Sequence, residues 1–122
     1  MPIGVQVTLA RPLPREAVAR LLAEATGAPP RVLPCGPALC RRIGICTGGA
    51  GSEIPQARAA GVDTLITGEG PHWTYALAED CGMNAMYGGH YATEVFGVQA
   101  LAGEWSRRFG VPWVFVDHPT GL

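Results

Sequence analysis

His90 and Glu94 stand four residues apart behind a Gly88-Gly89 pair. On a helical turn that spacing puts an imidazole and a carboxylate on one side, within reach of the same divalent ion. The two glycines free the backbone to turn sharply and keep space open in front of the histidine. An isolated H-x-x-x-E pair also arises by chance, as a helix-start glutamate beside an incidental histidine. Two ligands, moreover, do not complete a metal site.

Glu69 and His72 form the second constellation, in Thr67-Gly68-Glu69-Gly70 and the residues just after it. They are the candidate catalytic residues: Glu69 as an acid/base group or a carboxylate behind a metal ligand, His72 as a group that orients ligand or substrate. A third stretch, Gly48-Gly49-Ala50-Gly51-Ser52, lies between a strand-like run and a helical one. It is either a strand-to-helix turn capped by Ser52 or the wall of an active site that offers backbone N–H groups to an anion. It is not a dinucleotide fingerprint, because the third glycine would fall at position 54, where Ile54 stands. His118, just before Pro119, reads as a surface residue of an extended tail.

These residues need elements to hold them. Short β-branched runs alternate with Ala-rich stretches, the pattern of an α/β fold. Strands are predicted at Ile3–Leu9, Arg31–Pro34, Arg42–Thr47, Thr64–Thr67, Asn84–Tyr87 and Pro112–Val116, and helices at Pro14–Thr26, Ser52–Ala60, His72–Asp80 and Thr93–Phe109. Most of the strands are apolar on both faces, as strands covered by helices on two sides should be. The last helix carries Val95, Val98, Leu101, Ala102, Trp105 and Phe109 on one stripe, which predicts a face turned to the core. The expected architecture is a single α/β domain over residues 1–122, a layered sheet of about five to six strands flanked by helices. Three successive strands then end in polar or glycine-rich loops, which brings Ser52, Glu69, His72, His90 and Glu94 to one rim, where open α/β sheets bind ligands.

Composition closes several function classes. All 9 basic residues are arginine against 10 acidic ones. The lack of lysine excludes Schiff-base chemistry and a phosphate-loop lysine. A net charge of -1 without a basic cluster argues against nucleic-acid binding. No apolar run approaches the roughly 18 residues of a membrane span. Cys35, Cys40, Cys46 and Cys81 match no paired C-x-x-C pattern and read as structural thiols, so a reducing cytoplasm is the expected compartment.

The runs Ile45-Cys46-Thr47-Gly48-Gly49-Ala50-Gly51-Ser52, Ala60 to Glu69, Gly89-His90-Tyr91-Ala92-Thr93-Glu94 and Val114-Phe115-Val116-Asp117-His118-Pro119 resemble the Nif-three-like dinuclear metal-centre family. Its members are widely labelled GTP cyclohydrolase 1 type 2 homologues. The resemblance covers residues 40–122 clearly and 1–39 loosely, and corresponds to the carboxyl-terminal half of such a protein. It implies that His90 and Glu94 are ligands of a two-metal centre, with Glu94 placed to bridge both ions. The family's other ligands, a His pair and an Asp, come from an amino-terminal half with no counterpart here. A divalent ion is therefore the expected cofactor, with Zn, Mn, Fe and Mg all open.

Three explanations for the half-set of ligands stay open: an excised segment, a natural half-protein, or a degenerate member. The strand-like start at Met1-Pro2-Ile3 favours the segment. The resemblance implies a metal-dependent hydrolase acting on a nucleotide or another small molecule, and Trp73, Tyr75 and Tyr91 are candidates for stacking on it. The alternative is a non-catalytic metal-binding, interaction or assembly module, paired with an amino-terminal half or built into a homo-oligomer.

Overall fold

The β-branched runs and Ala-rich stretches resolve, in a computed structural model that describes residues 4–121, into one five-stranded sheet with helices around it. The order along the chain is β1 (Val5–Pro14), α1 (Arg15–Thr26), β2 (Arg31–Pro34), β3 (Leu39–Ile45), a 3-10 turn (Gly51–Glu53) running into α2 (Ile54–Ala59), β4 (Thr64–Thr67), α3 (Thr74–Cys81), β5 (Asn84–Tyr87) and α4 (His90–Phe109). The α/β expectation holds. Ile3, the predicted start of the first strand, lies outside the described residues. That strand extends beyond Leu9 to Pro14, across a register break between Thr8 and Leu13. An edge position tolerates its prolines, because no neighbour on the outer side needs their missing N–H.

The strand order is β1-β3-β4-β5-β2. The β3–β4 and β4–β5 pairs are parallel, and β1 and β2 run antiparallel on the two edges. Parallel strands joined through α2 and α3 must end on the same side. The loops after β3, β4 and β5 therefore share one rim, and this places the candidate site.

Alternation along the central strands fills two cores. Leu65 and Ala85 face α2 and α3, packing with Ile54, Val62, Ala78 and Met83. Ile43 and Met86 face the opposite way, onto Val18 and Leu22 of α1. The expected cover on both faces thus holds for β4 and β5. It does not hold for β1, where Val5 is 67% exposed, because only part of that flank lies under α1.

Asn84, fully buried, ties the β2–β3 connection to the sheet. Its Oδ1 accepts from Gly36 N (3.0 Å) and from an Arg15 guanidinium nitrogen (3.2 Å), and its Nδ2 donates to Pro37 O (2.8 Å). Asn84→Ala strands these partners in a dry interior, where each unmade bond costs about 1–3 kcal/mol. The expected outcome is a loss of about 2 kcal/mol in chemical denaturation with an unchanged m-value.

Two expectations are corrected. Pro112–Val116 forms no strand. A strand needs an adjacent edge to take its N–H and C=O groups, and the start of this segment instead lies beside Val98, Leu101 and Trp105 of α4. The stripe on α4 does not face the core either: Thr93 is the helix's buried residue, while Val98, Leu101, Trp105 and Phe109 are exposed. Val111, Pro112 and Trp113 lie beside part of the stripe, which stays more than half exposed at Val98, Leu101, Trp105 and Phe109. No helix among them is long and apolar enough to cross a membrane.

Candidate metal centre

Helix α4 begins at His90, three residues earlier than its apolar period predicts, so His90 and Glu94 lie one turn apart on the same helix. Glu94 Oε1 stands 3.2 Å from His90 Nε2. From the loop after β4, Glu69 Oε1 reaches the other ring nitrogen, Nδ1, at 2.7 Å. A carboxylate only accepts, so Nδ1 carries the proton and the lone pair of the neutral ring falls on Nε2, toward Glu94.

The hydrogen bond to Glu69 is the largest reason that the His90 pKa is raised above 6.5, and the negative charge of Glu94 adds to it against some desolvation. A raised histidine pKa stabilises the fold below the unfolded value, and that contribution fades as pH rises through the folded one. Glu69→Gln is expected to lower the His90 pKa toward the ordinary imidazole value, read from the ring-proton shifts in an NMR titration. An unmoved titration would place the cause elsewhere.

Three loops interlock to hold this group. Gly48 O accepts from Gly68 N (2.8 Å), Glu69 N (3.0 Å) and Thr67 Oγ1 (2.9 Å). Gly48 N donates to Thr93 Oγ1 (3.1 Å), and Gly89 N donates to Gly68 O (2.8 Å). Gly48 has φ +71, and a Cβ there would lie 2.6 Å from Glu94 Oε1 and 3.2 Å from His90 Nε2. The glycine leaves open the space in front of both donors.

These bonds also bear on whether the glycine-rich loop could bind an anion. Ala50 N donates to Thr67 Oγ1 (3.1 Å) and Gly51 N to Glu69 O (3.2 Å), so N–H groups that would cradle an anion are spent inside the protein. The loop lies against Glu69, His90 and Glu94 without offering those groups to a ligand. Ser52 caps no helix, since its hydroxyl turns to Glu53 Oε1 (3.3 Å) on the exposed side.

The structure thus brings Glu69, His90 and Glu94 together. His72 stands exposed in the turn ahead of α3, and among the described residues no hydrogen bond or ion pair joins it to the other three. It borders a neighbouring cleft of about 540 Å³ with Arg31, Trp73, Tyr75 and Tyr87. Tyr91 spends its hydroxyl on the tail, donating to Asp117 Oδ1 (2.7 Å) and accepting from His118 N (2.8 Å). His118 is exposed, as expected. Cys35, Cys40 and Cys81 are free thiols, and burial is the largest reason that the thiols of Cys35, Cys40 and Cys46 are pushed up, which fits structural thiols. Reading the sequence for chemistry missed Thr67, Thr93 and Gly68. The repeated Thr-Gly pair at the ends of two strands, 47–48 and 67–68, is the signal that could have found the loop lock.

A divalent ion fits this arrangement in part. The 3.2 Å between Nε2 and Oε1 matches two neighbouring donors on one ion at bonds of roughly 2.1 Å. Two donors remain fewer than a complete set, and among the described residues no group of three or more His, Cys, Asp or Glu is arranged to hold a metal ion. Glu69, turned to Nδ1, positions the ring.

Known proteins share this arrangement of elements. The family described as Duf34/NIF3 (NGG1p interacting factor 3) matches residues 1–120. A Deinococcus radiodurans protein named GTP cyclohydrolase 1 type 2 homolog is 41% identical over 120 residues, 98% of this chain and 46% of its own length. A Pyrococcus horikoshii protein of the same name is 48% identical over 82 residues, 67% of this chain and 32% of its own. Among solved structures, the ybgI protein, described as of unknown function, superposes with a TM-score of 0.90 at 31% identity over 98% of this chain and 49% of that one. A Thermus thermophilus protein gives 0.82 at 35% identity, over 95% and 50%. The chain spans about half the length of the curated relatives it matches.

Proposed function

Since the chain belongs to the Duf34/NIF3 family, we propose that it binds divalent metal through His90 and Glu94 as one half of a dinuclear site, and that the completed site is a metal-dependent hydrolase. The observation that carries this reading is the imidazole held at Nδ1 by Glu69, with Nε2 3.2 Å from Glu94 Oε1 beside space kept open by Gly48. When bound, paired divalent ions lower the pKa of a water and polarise the group it attacks.

The chain's own residues do the positioning. Glu69 fixes the tautomer and the ring plane of His90, and such a partner is typically worth about 10–100-fold in metal affinity. Thr93 holds the Gly48 loop against the helix start, so both donors face the rim. The names of the relatives suggest a nucleotide as substrate, with GTP the first compound to try. The thinness of the donor set favours one second reading, a non-catalytic metal-binding module.

The test is to titrate the protein with Zn, Mn, Fe and Mg while following ring protons of the three histidines. Movement or broadening at His90 alone supports the site, whereas a response at His72 or His118 with His90 silent overturns it. GTP is then added to the metal-loaded protein. Ring-opened product supports the hydrolase, and intact GTP with full metal occupancy favours the non-catalytic reading.

A further inference from the structure

The loop after β4 serves two places at once. Glu69 grips His90, and the residues that follow it, Gly70 to Trp73, line a cleft of about 540 Å³ together with Arg31, Tyr75 and Tyr87. Small-molecule sites typically enclose roughly 300–1,000 Å³, so the cleft has the size of one.

Its walls are fixed before any ligand arrives. Thr74 N and Thr74 Oγ1 both donate to Pro71 O, at 3.0 and 2.6 Å. With its proton committed there, the Thr74 hydroxyl accepts from the Tyr87 O–H at 2.6 Å. The turn that carries His72 and Trp73 is thereby pinned to the end of β5, and Arg31 on the edge strand β2 is the register partner of Tyr87. Gly70 permits the close approach, since a Cβ there would lie 2.5 Å from the Tyr87 hydroxyl oxygen.

The side chains around this cleft are those of a receptor. Trp73 is 53% exposed and Tyr75 47%, two large rings offered to solvent. Among the described residues the Arg31 and His72 side chains make no hydrogen bond or ion pair, and no carboxylate lines the cleft. In a chain with 10 acidic and 9 basic residues, a concave surface with a guanidinium, an imidazole and no acid attracts anions. Aromatic rings beside those donors favour a planar ring on the same molecule.

We propose that this cleft binds a nucleoside monophosphate, with the base stacked on Trp73 and Tyr75 and the phosphoryl oxygens accepting from Arg31 and His72. One phosphoryl group rather than three follows from the charges. The lining supplies a single guanidinium, and the Glu69 carboxylate beside it repels a longer chain. As substrate of the metal-dependent reaction this ligand rests on the reading above. Its binding does not, because neither His90 nor Glu94 lines the cleft.

The test follows the histidine ring protons of the metal-free protein, kept in EDTA, during titration with GMP. His72 should move while His118 stays still. Guanosine and ribose 5-phosphate, which each lack one half of the ligand, should bind about 10-fold more weakly or worse. GTP should bind no more tightly than GMP. Arg31→Gln and Trp73→Ala should each weaken GMP by about 10-fold or more with the melting temperature of the parent, since both side chains are exposed. They act on opposite ends of the ligand, so a folding defect in one leaves the other to decide. A silent His72 at millimolar GMP overturns the proposal, as does undiminished GMP binding in Arg31→Gln. Ribose 5-phosphate binding as tightly as GMP also overturns it, because the cleft is then a simple anion trap, and GTP binding more tightly than GMP overturns the single phosphoryl group. GMP bound by a protein that takes up no metal keeps the cleft and sinks the metal site, whereas metal taken up at His90 with His72 silent to GMP does the reverse.

Discussion

Metal per chain, measured by elemental mass spectrometry after dialysis against trace divalent ion, is expected to fall to the blank in the His90→Ala/Glu94→Ala protein while its melting temperature stays within a few degrees of the parent. The reason is geometric. Glu94 is exposed on α4, and His90 spends its side chain on Glu69 and Glu94, so neither holds the core together. Losing a direct ligand should cost more than the ~100-fold that loss of an outer carboxylate reaches. Each single variant should lose most of the metal, since one remaining donor holds a divalent ion poorly in water. Retained metal in the double variant would sink the site outright. Lost metal together with a collapsed melting transition would show instead that the pair is structural.

The largest effect on stability is expected at Gly68. A Cβ there would lie 2.6 Å from Gly48 O, 2.7 Å from His90 Cα and 2.7 Å from Thr93 Oγ1, and two of those three atoms are backbone. Backbone cannot step aside as the end of a flexible side chain does, so the loops after β3, β4 and β5 must separate. Gly68→Ala should therefore cost about 3 kcal/mol, which for a domain of this size lowers the melting temperature by roughly 10 °C. Gly48→Ala is the informative contrast. Its left-handed φ of +71 costs an alanine about 1–2 kcal/mol, but its nearest clash is the Glu94 carboxylate, a side chain that can swing away. That variant should keep most of its stability and lose metal. Equal melting temperatures for the two variants would mean that the loop lock is softer than its hydrogen bonds suggest.

Much of the candidate site was legible from local pattern. A helix start reads from Gly-Gly followed by an apolar period, and one helical turn is enough to set the His90–Glu94 relation. Turn chemistry and the parallel order likewise put Glu69 on the same rim. Local pattern failed at His72 and Ser52, because a few residues of loop can aim a side chain either way. It also failed at the last strand and the last helix. Periodicity shows that a face is apolar but is silent about what covers it.

Residue types and spacing thus set the α/β alternation, the closed reaction classes and the candidate His90–Glu94 pair, since each rests on chemistry within a few bonds or one helical turn. Only the folded chain decided that Glu69 grips Nδ1 rather than facing a substrate, that the glycine-rich loop spends its N–H groups on Thr67, Thr93 and a carbonyl, and that α4 with residues 111–116 stands bare. Those are relations between residues far apart in the chain, such as Ala50 and Thr67, Glu69 and His90 or Gly48 and Thr93. Such contacts depend on how the strands are ordered and on which loops meet at their ends, and neither is encoded in any one window of the chain.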